Sequence, residues 1–215
     1  MSVIKAVIFD MDGVIIDSEP FWKQAEFDVF SSLRVIVSEE FTPITQTMTT
    51  AEVADFWFKK YPWENVSLKE VEERVISRVI ELIETNSCAI LGIKGFIERL
   101  KAQGLKIGVA TNSPYRIIPS ALQKVDVYEL IDVISSAEFE EKGKPDPAIY
   151  LSTAQKLAVA PSECIVVEDS HSGMLAAKKA GMKVVAFSNG QQHRTFELAD
   201  FTLSHFSASI DFLLN

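Results

Sequence analysis

Five near-continuous apolar runs punctuate the chain: "VIKAVIFD" (3–10), "LKIGVATN" (105–112), "LIDVISSA" (130–137), "ECIVVEDS" (163–170) and "MKVVAFS" (182–188). Apolar residues without strict alternation mark strands buried on both faces. Helix signals lie between them. "GFIERLKAQG" (95–104) ends on a glycine stop. Ser113–Pro114 and Asp146–Pro147 each set an N-cap residue before a proline at the first helical position, and "SHSGMLAAKKAG" covers 170–181. Strand alternating with helix predicts an α/β fold, a doubly wound parallel sheet.

Between the first run and the second the pattern changes. "TTAEVADFWFKKY" opens with Thr49 and Glu52, and "SLKEVEERVISRVIELIE" with Ser67 and Glu70, two capping-box signatures. Val71, Val75, Val79 and Leu82 then keep helical spacing. No comparable strand signal occurs here. The pattern predicts a small all-helical domain at 18–88, inserted into a core of 1–17 and 89–215. Trp57, Phe58, Tyr61 and Trp63 fall at helical spacing and are read as packing.

Composition narrows the class. At 47% hydrophobic and 24% charged residues the chain is ordinary for a globular protein. No apolar run approaches the ~18 residues of a membrane span, and "MSVIKAVIFD" lacks the features of a signal peptide. Two cysteines, Cys88 and Cys164, are too few for a disulfide framework, and His171, His193 and His205 are too scattered for a zinc site. A cytoplasmic protein is expected. A net charge of −9 argues against a nucleic-acid partner, but leaves room for a small phosphorylated substrate held by a few local cations.

The candidate chemistry stands at the strand ends, where open parallel sheets bind ligands. The first run ends in Asp10 and Asp12, the second in Thr111 and Asn112. Lys142 and Lys144 follow the third, and Glu168 and Asp169 close the fourth. Asp10 and Asp12 leave one face of an extended strand. At ~4 Å two carboxylates repel by ~4 kcal/mol at an effective dielectric of 20, so a cation should offset them. Clustered carboxylates suit a hard ion, best Mg²⁺; helix-start amides, Thr111 and a lysine suit a phosphate.

In type, order and spacing, "DMDGV", "ATNS", "GKPDP" and "VVEDSHSG" resemble the four motifs of the haloacid dehalogenase superfamily. The helical insert resembles the cap of its phosphoglucomutase-like branch, and "DSEPFW" with "VEERVISRVIELIE" is most similar to the hexitol and 2-deoxyglucose-6-phosphate phosphatases. The resemblance implies a Mg²⁺-dependent phosphatase of small sugar or polyol phosphates. Asp10 would be the nucleophile and Asp12 the acid and base. Thr111, Asn112 and Lys144 would hold the phosphate, Lys144 being preferred to Lys142 because Pro145 fixes the chain beside it. Asp10, the backbone carbonyl of Asp12, Asp169 and Glu168 would hold the metal, Glu168 directly or through water. Glu19 and Trp22, just after the first motif, are candidates for the substrate side.

Alternatives follow from the same residues. Dehalogenases of the superfamily lack the second aspartate, so Asp12 argues against halide chemistry. Phosphoglucomutases carry a histidine soon after the first motif; Trp22 stands near that place, so a phosphosugar mutase is the second choice. A phosphate-responsive binding module resembling a receiver domain is the choice from another class, although its acidic residues come in a different order. Where related caps often carry Gly-x-Arg, this chain has Thr47-Met48-Thr49, which makes the substrate's far end less charged. A monomer is expected.

Overall fold

Strands β1 (Ala6–Phe9), β2 (Lys106–Thr111), β3 (Val133–Ser136), β4 (Cys164–Glu168), β5 (Lys183–Phe187) and β6 (Phe201–Leu203) form one parallel sheet in the order β3-β2-β1-β4-β5-β6. The computed structural model describes residues 3–45, 48–190 and 196–210; Thr47 and His193, both weighed above, lie outside them. The sixth strand was not expected. It has three residues, Thr202 is exposed, and it pairs only through Phe201–Leu203 with Val185–Phe187, too short a stretch for a periodic signal. In the third run only Val133–Ser136 is strand, while Leu130 closes a 3₁₀ turn from Tyr128.

The chain divides into two units, Ser18–Ser87 and the remainder, Met1–Asp17 with Cys88–Asn215. The smaller is helical: α1 (Glu19–Ser32), α2 (Thr42–Thr45), α3 (Thr50–Lys60) and α4 (Leu68–Thr85). At the start of α3 the capping box is reciprocal. The Glu52 amide donates to Thr49 Oγ1 (3.3 Å), and the Thr49 amide donates to the Glu52 carboxylate (2.7 Å). At α4 it is one-sided: the Glu70 amide donates to Ser67 Oγ (3.2 Å), but the Glu70 carboxylate takes Arg74 instead (2.8 Å).

Val71, Val75, Val79 and Leu82 are buried along α4 as their spacing requires. Trp57 and Trp63 are buried too, their rings each 6.2 Å from that of Phe30, so these aromatics are core. On α1, Ala25, Val29 and Phe30 are buried. At 100° per residue Glu26 falls on the arc between Val29 and Phe30, half-buried, and desolvation pushes its carboxyl up to about 7.

The larger unit adds α5 (Ile93–Ala102), α6 (Ile118–Lys124), α7 (Ala148–Leu157) and α8 (His171–Lys179). Consecutive strand residues face opposite sides. Ile8 packs with Tyr150, Ala154 and Leu157 of α7 and Met174 and Ala177 of α8. Phe9 lies edge-on to Phe96 of α5 (6.2 Å) and near Phe206 (6.5 Å), which stacks on Phe187 (4.3 Å). Each such buried side chain contributes on the order of 1.5–3 kcal/mol. Helices on both faces explain why the strands read as unbroken apolar runs.

Cys88, assigned by its position in the sequence to the insert, belongs to the sheet unit. The Asp17 amide donates to its carbonyl (2.8 Å), the Ile90 amide donates to the Ile15 carbonyl (3.2 Å), and Ile16 bridges Ala89. Backbone pairing, which composition does not reveal, sets the junction.

Candidate active site

Asp10 follows the last residue of β1, and its amide continues the ladder by donating to the Val167 carbonyl (3.0 Å). Beyond it the chain coils: the Ile15 and Ile16 amides both donate to the Met11 carbonyl, at 2.8 and 3.1 Å. Gly13 sits in this turn at φ +80, and a Cβ there would lie 2.5 Å from Asp169 Oδ2. Both the left-handed backbone and the close approach require glycine.

Lys144 organises the centre. Its ammonium donates to Asp10 Oδ1 (2.6 Å), Glu168 Oε1 (2.6 Å) and the Ala110 carbonyl (2.9 Å), and its side chain is 4% exposed. Burial alone would lower its basicity, but Asp10 and Glu168 outweigh that and hold it well above the ordinary lysine value. Glu168 is buried and well supplied with donors. Tyr150 donates its hydroxyl to Oε1 (2.8 Å), while the Ser170 amide (3.0 Å) and hydroxyl (2.9 Å) donate to Oε2. Desolvation raises its carboxyl, yet Lys144 and these donors win and leave it below the usual carboxylate range.

Asp10, Glu168 and Asp169 each bring an oxygen within 4.8 Å of the other two. Burial pushes the Asp10 carboxyl well up; Lys144 opposes this, while Glu168, Asp12 and Asp169 add to it. The surroundings of Asp10 thus disfavour its charged form. A divalent cation held there would favour the carboxylate, and an all-oxygen donor set suits a hard ion such as Mg²⁺. The residues therefore fit the metal.

Asp12 is half-exposed and differently served: Thr111 Oγ1 (3.1 Å) and Ser113 Oγ (2.7 Å) both donate to its Oδ2. Asn112 is exposed; its Oδ1 accepts from the Lys144 amide (3.0 Å), tying the second motif to the third. Lys142 is exposed, and no hydrogen bond or ion pair joins it to this cluster. Glu19 and Trp22 lie on α1 of the helical unit, Glu19 exposed and paired with Lys23 at 2.7 Å, Trp22 half-buried.

Two helix starts differ from expectation. Ser113 caps nothing with its side chain: Pro114 precedes a 3₁₀ turn, Tyr115–Ile117, at ψ 139, and α6 begins only at Ile118. Pro147 is the N-cap of α7 rather than its first residue, and Asp146 Oδ1 accepts from the Ala148 amide (3.0 Å). Proline's fixed φ serves equally at a cap or just inside a helix, which shifts both starts. Ser113 and Tyr150 are site residues that sequence reasoning missed. Ser113 looked like a cap, and Tyr150 like one more apolar position of α7.

The fold and this strand-end cluster of acids around a buried lysine define a Rossmann-like hydrolase. The chain belongs to the haloacid dehalogenase-like hydrolases, whose family model matches residues 7–187, and it is an enzyme of their phosphatase class. It is 41% identical over 204 residues to hexitol phosphatase B of Escherichia coli, covering 94% of this chain and 92% of that one. It is 30% identical over 194 residues to beta-phosphoglucomutase of Bacillus subtilis, covering 87% and 85%. In fold it is similar to CbbY from Rhodobacter sphaeroides, solved in complex with phosphate, with a TM-score of 0.84 at 24% identity over 95% of both chains. Among the described residues no helix is long and apolar enough to cross a membrane.

Proposed function

We propose that the protein hydrolyses small sugar or polyol phosphate monoesters with Mg²⁺, through an aspartyl-phosphate on Asp10. The observation that carries this reading is the contrast in surroundings between two acids at one end of the sheet. Asp10 is buried against Lys144 and the acidic cluster, whereas Asp12 is half-exposed and held by hydroxyl donors. Two carboxylates in contrasting surroundings can take two roles.

In the first step an Asp10 oxygen attacks phosphorus and the P–O bond to the alcohol breaks. The Asp12 carboxyl gives its proton to the departing oxygen. In the second step Asp12, now a carboxylate, takes a proton from water whose oxygen attacks phosphorus. The bond to Asp10 breaks and inorganic phosphate leaves. Thr111, Asn112 and Lys144 hold the phosphoryl oxygens. A carboxylate meeting a phosphate dianion at ~4 Å faces ~8 kcal/mol of repulsion at an effective dielectric of 20, of which Lys144 offsets a part. Asp10, Glu168, Asp169 and the Asp12 carbonyl would hold Mg²⁺, which supplies the remaining positive charge.

Hexitol phosphatase B, the relative at 41% identity, supports a polyol or sugar phosphate as substrate. Trp22, at the place where the resemblance puts the mutases' histidine, supports loss of the phosphate to water over its return to sugar. Glu19 and Trp22 are proposed to recognise the alcohol part. The test is phosphate release across a panel of sugar and polyol phosphates, with Mg²⁺ and with chelator. Release from hexitol or hexose phosphates that chelator abolishes is expected. Activity indifferent to chelator, or β-glucose 1-phosphate converted to 6-phosphate faster than phosphate appears, would overturn the reading.

A further inference from the structure

We infer that Ser113 is a positioning residue that aims Asp12 at the leaving oxygen; this rests on the acid–base role proposed for Asp12. The serine is held from both sides of its own backbone. Its amide donates to Thr111 Oγ1 (3.0 Å), and its carbonyl accepts from Ser136 Oγ (2.7 Å). Ser136, 1% exposed at the end of β3, in turn accepts from the Glu138 amide (3.1 Å). The Glu138 carboxylate accepts from the Tyr115 amide (2.8 Å), closing the loop around residues 113–115. Ser113 is itself buried, and its hydroxyl is released from capping duty because the turn after it starts without a side-chain cap.

That hydroxyl is committed to Asp12 Oδ2 at 2.7 Å, shorter than the 3.1 Å bond from Thr111 to the same oxygen. A hydroxyl donor to a carboxylate is a charge-assisted bond with a preferred direction. It fixes the rotation of the carboxyl group, which lies on a half-exposed side chain. Thr111 is also assigned to the phosphate, whereas the Ser113 hydroxyl is given, among the described residues, to Asp12 alone. Ser113 keeps Asp12 in register with the ester oxygen, so the proton passes from carboxyl to alkoxide as the P–O bond breaks.

The discriminating readout is the leaving group. An alkoxide needs a proton in order to depart, whereas p-nitrophenolate does not. Ser113→Ala should lower kcat/KM for a sugar phosphate on the order of tenfold to a hundredfold, with the loss in kcat. Its kcat/KM for p-nitrophenyl phosphate, which reports departure of the phenolate and not the shared second step in which Asp12 is the base, should fall by less than about threefold. Ser113→Thr keeps the hydroxyl and should restore most of the difference; should Ser113→Ala not fold, Ser113→Cys, similar in shape and a poor donor, takes its place. Equal losses on both substrates, or none, overturn the inference. Asp12→Asn in the same assay separates the two levels. If Asp12→Asn discriminates between leaving groups and the Ser113 variants do not, Ser113 has no positioning role and the proposed role of Asp12 stands. If Asp12→Asn fails to discriminate, both fall.

Discussion

Gly173, in the first turn of α8, stands where a Cβ would overlap the carboxylate of Glu168. Its amide donates to Ser170 Oγ (3.0 Å), and that hydroxyl donates to Glu168 Oε2 (2.9 Å). The missing side chain is therefore part of how the acid is seated. Gly173→Ala should cost about 2–4 kcal/mol, because Glu168 is fully buried and would have to give up its donors to move. Gly95→Ala on α5 is the control: its Cβ would meet only Arg99 Nη1 at 3.8 Å, and a gain of about 0.5–1 kcal/mol is expected. Denaturant unfolding of the two variants checks both signs.

Asp10→Asn should lower phosphate release by on the order of 10⁴-fold or more while the melting temperature stays within about 5 °C. The amide keeps the size of the carboxylate and Lys144 keeps Glu168. Turnover by the folded variant within about a hundredfold of wild type would remove Asp10 as nucleophile.

Lys144→Met leaves Asp10 and Glu168 facing each other in the interior, and a loss of about 3–5 kcal/mol is expected. Mg²⁺ should then raise the variant's melting temperature more than the wild type's, since the ion replaces the missing charge. A thermal shift series in Mg²⁺ makes the comparison, and an equal response in both proteins would count against a shared metal and lysine field.

Glu26 makes stability depend on pH in an unusual direction. Its folded value of about 7 lies above the unfolded one of 4.5. Between the two, the folded chain holds a proton that the unfolded chain has released, so stability falls as pH rises through this window. Glu26→Gln removes the effect. The variant should be more stable than wild type by about 1–3 kcal/mol at pH 8, and the difference should vanish below pH 4.5. Urea unfolding at pH 5 and 8 reads the change, and a gap of the same size at both values would show that desolvation of the charge is not its cause.

The strands were legible because helices on both faces make each of them uniformly apolar, and the strand ends because Asp10, Thr111 and Glu168 close those runs, while Lys144, farther past β3, was legible through the motif that carries it. The capping box at Thr49 was legible since both halves are local. At Ser67 only half formed, because Arg74 competes for Glu70 one turn on. What escaped were relations across long separations in sequence. Ser113 serves Asp12 over 101 positions, and Tyr150 serves Glu168 over 18. Neither bond leaves a local trace. The strand Phe201–Leu203 is specified by its neighbour Val185–Phe187 more than by its own composition.

The hydrogen bond between the Asp17 amide and the Cys88 carbonyl has a consequence for how such a molecule changes over time. Seventy residues depart and return at two points that are already stitched together, so the hole they leave is the width of a single turn. The sheet should thus tolerate exchange of everything from Ser18 to Ser87 for a segment of another length. On the proposed reading, reaction chemistry and substrate choice can be altered in separate stretches of gene, and a swap between relatives needs only matching stitches at each end.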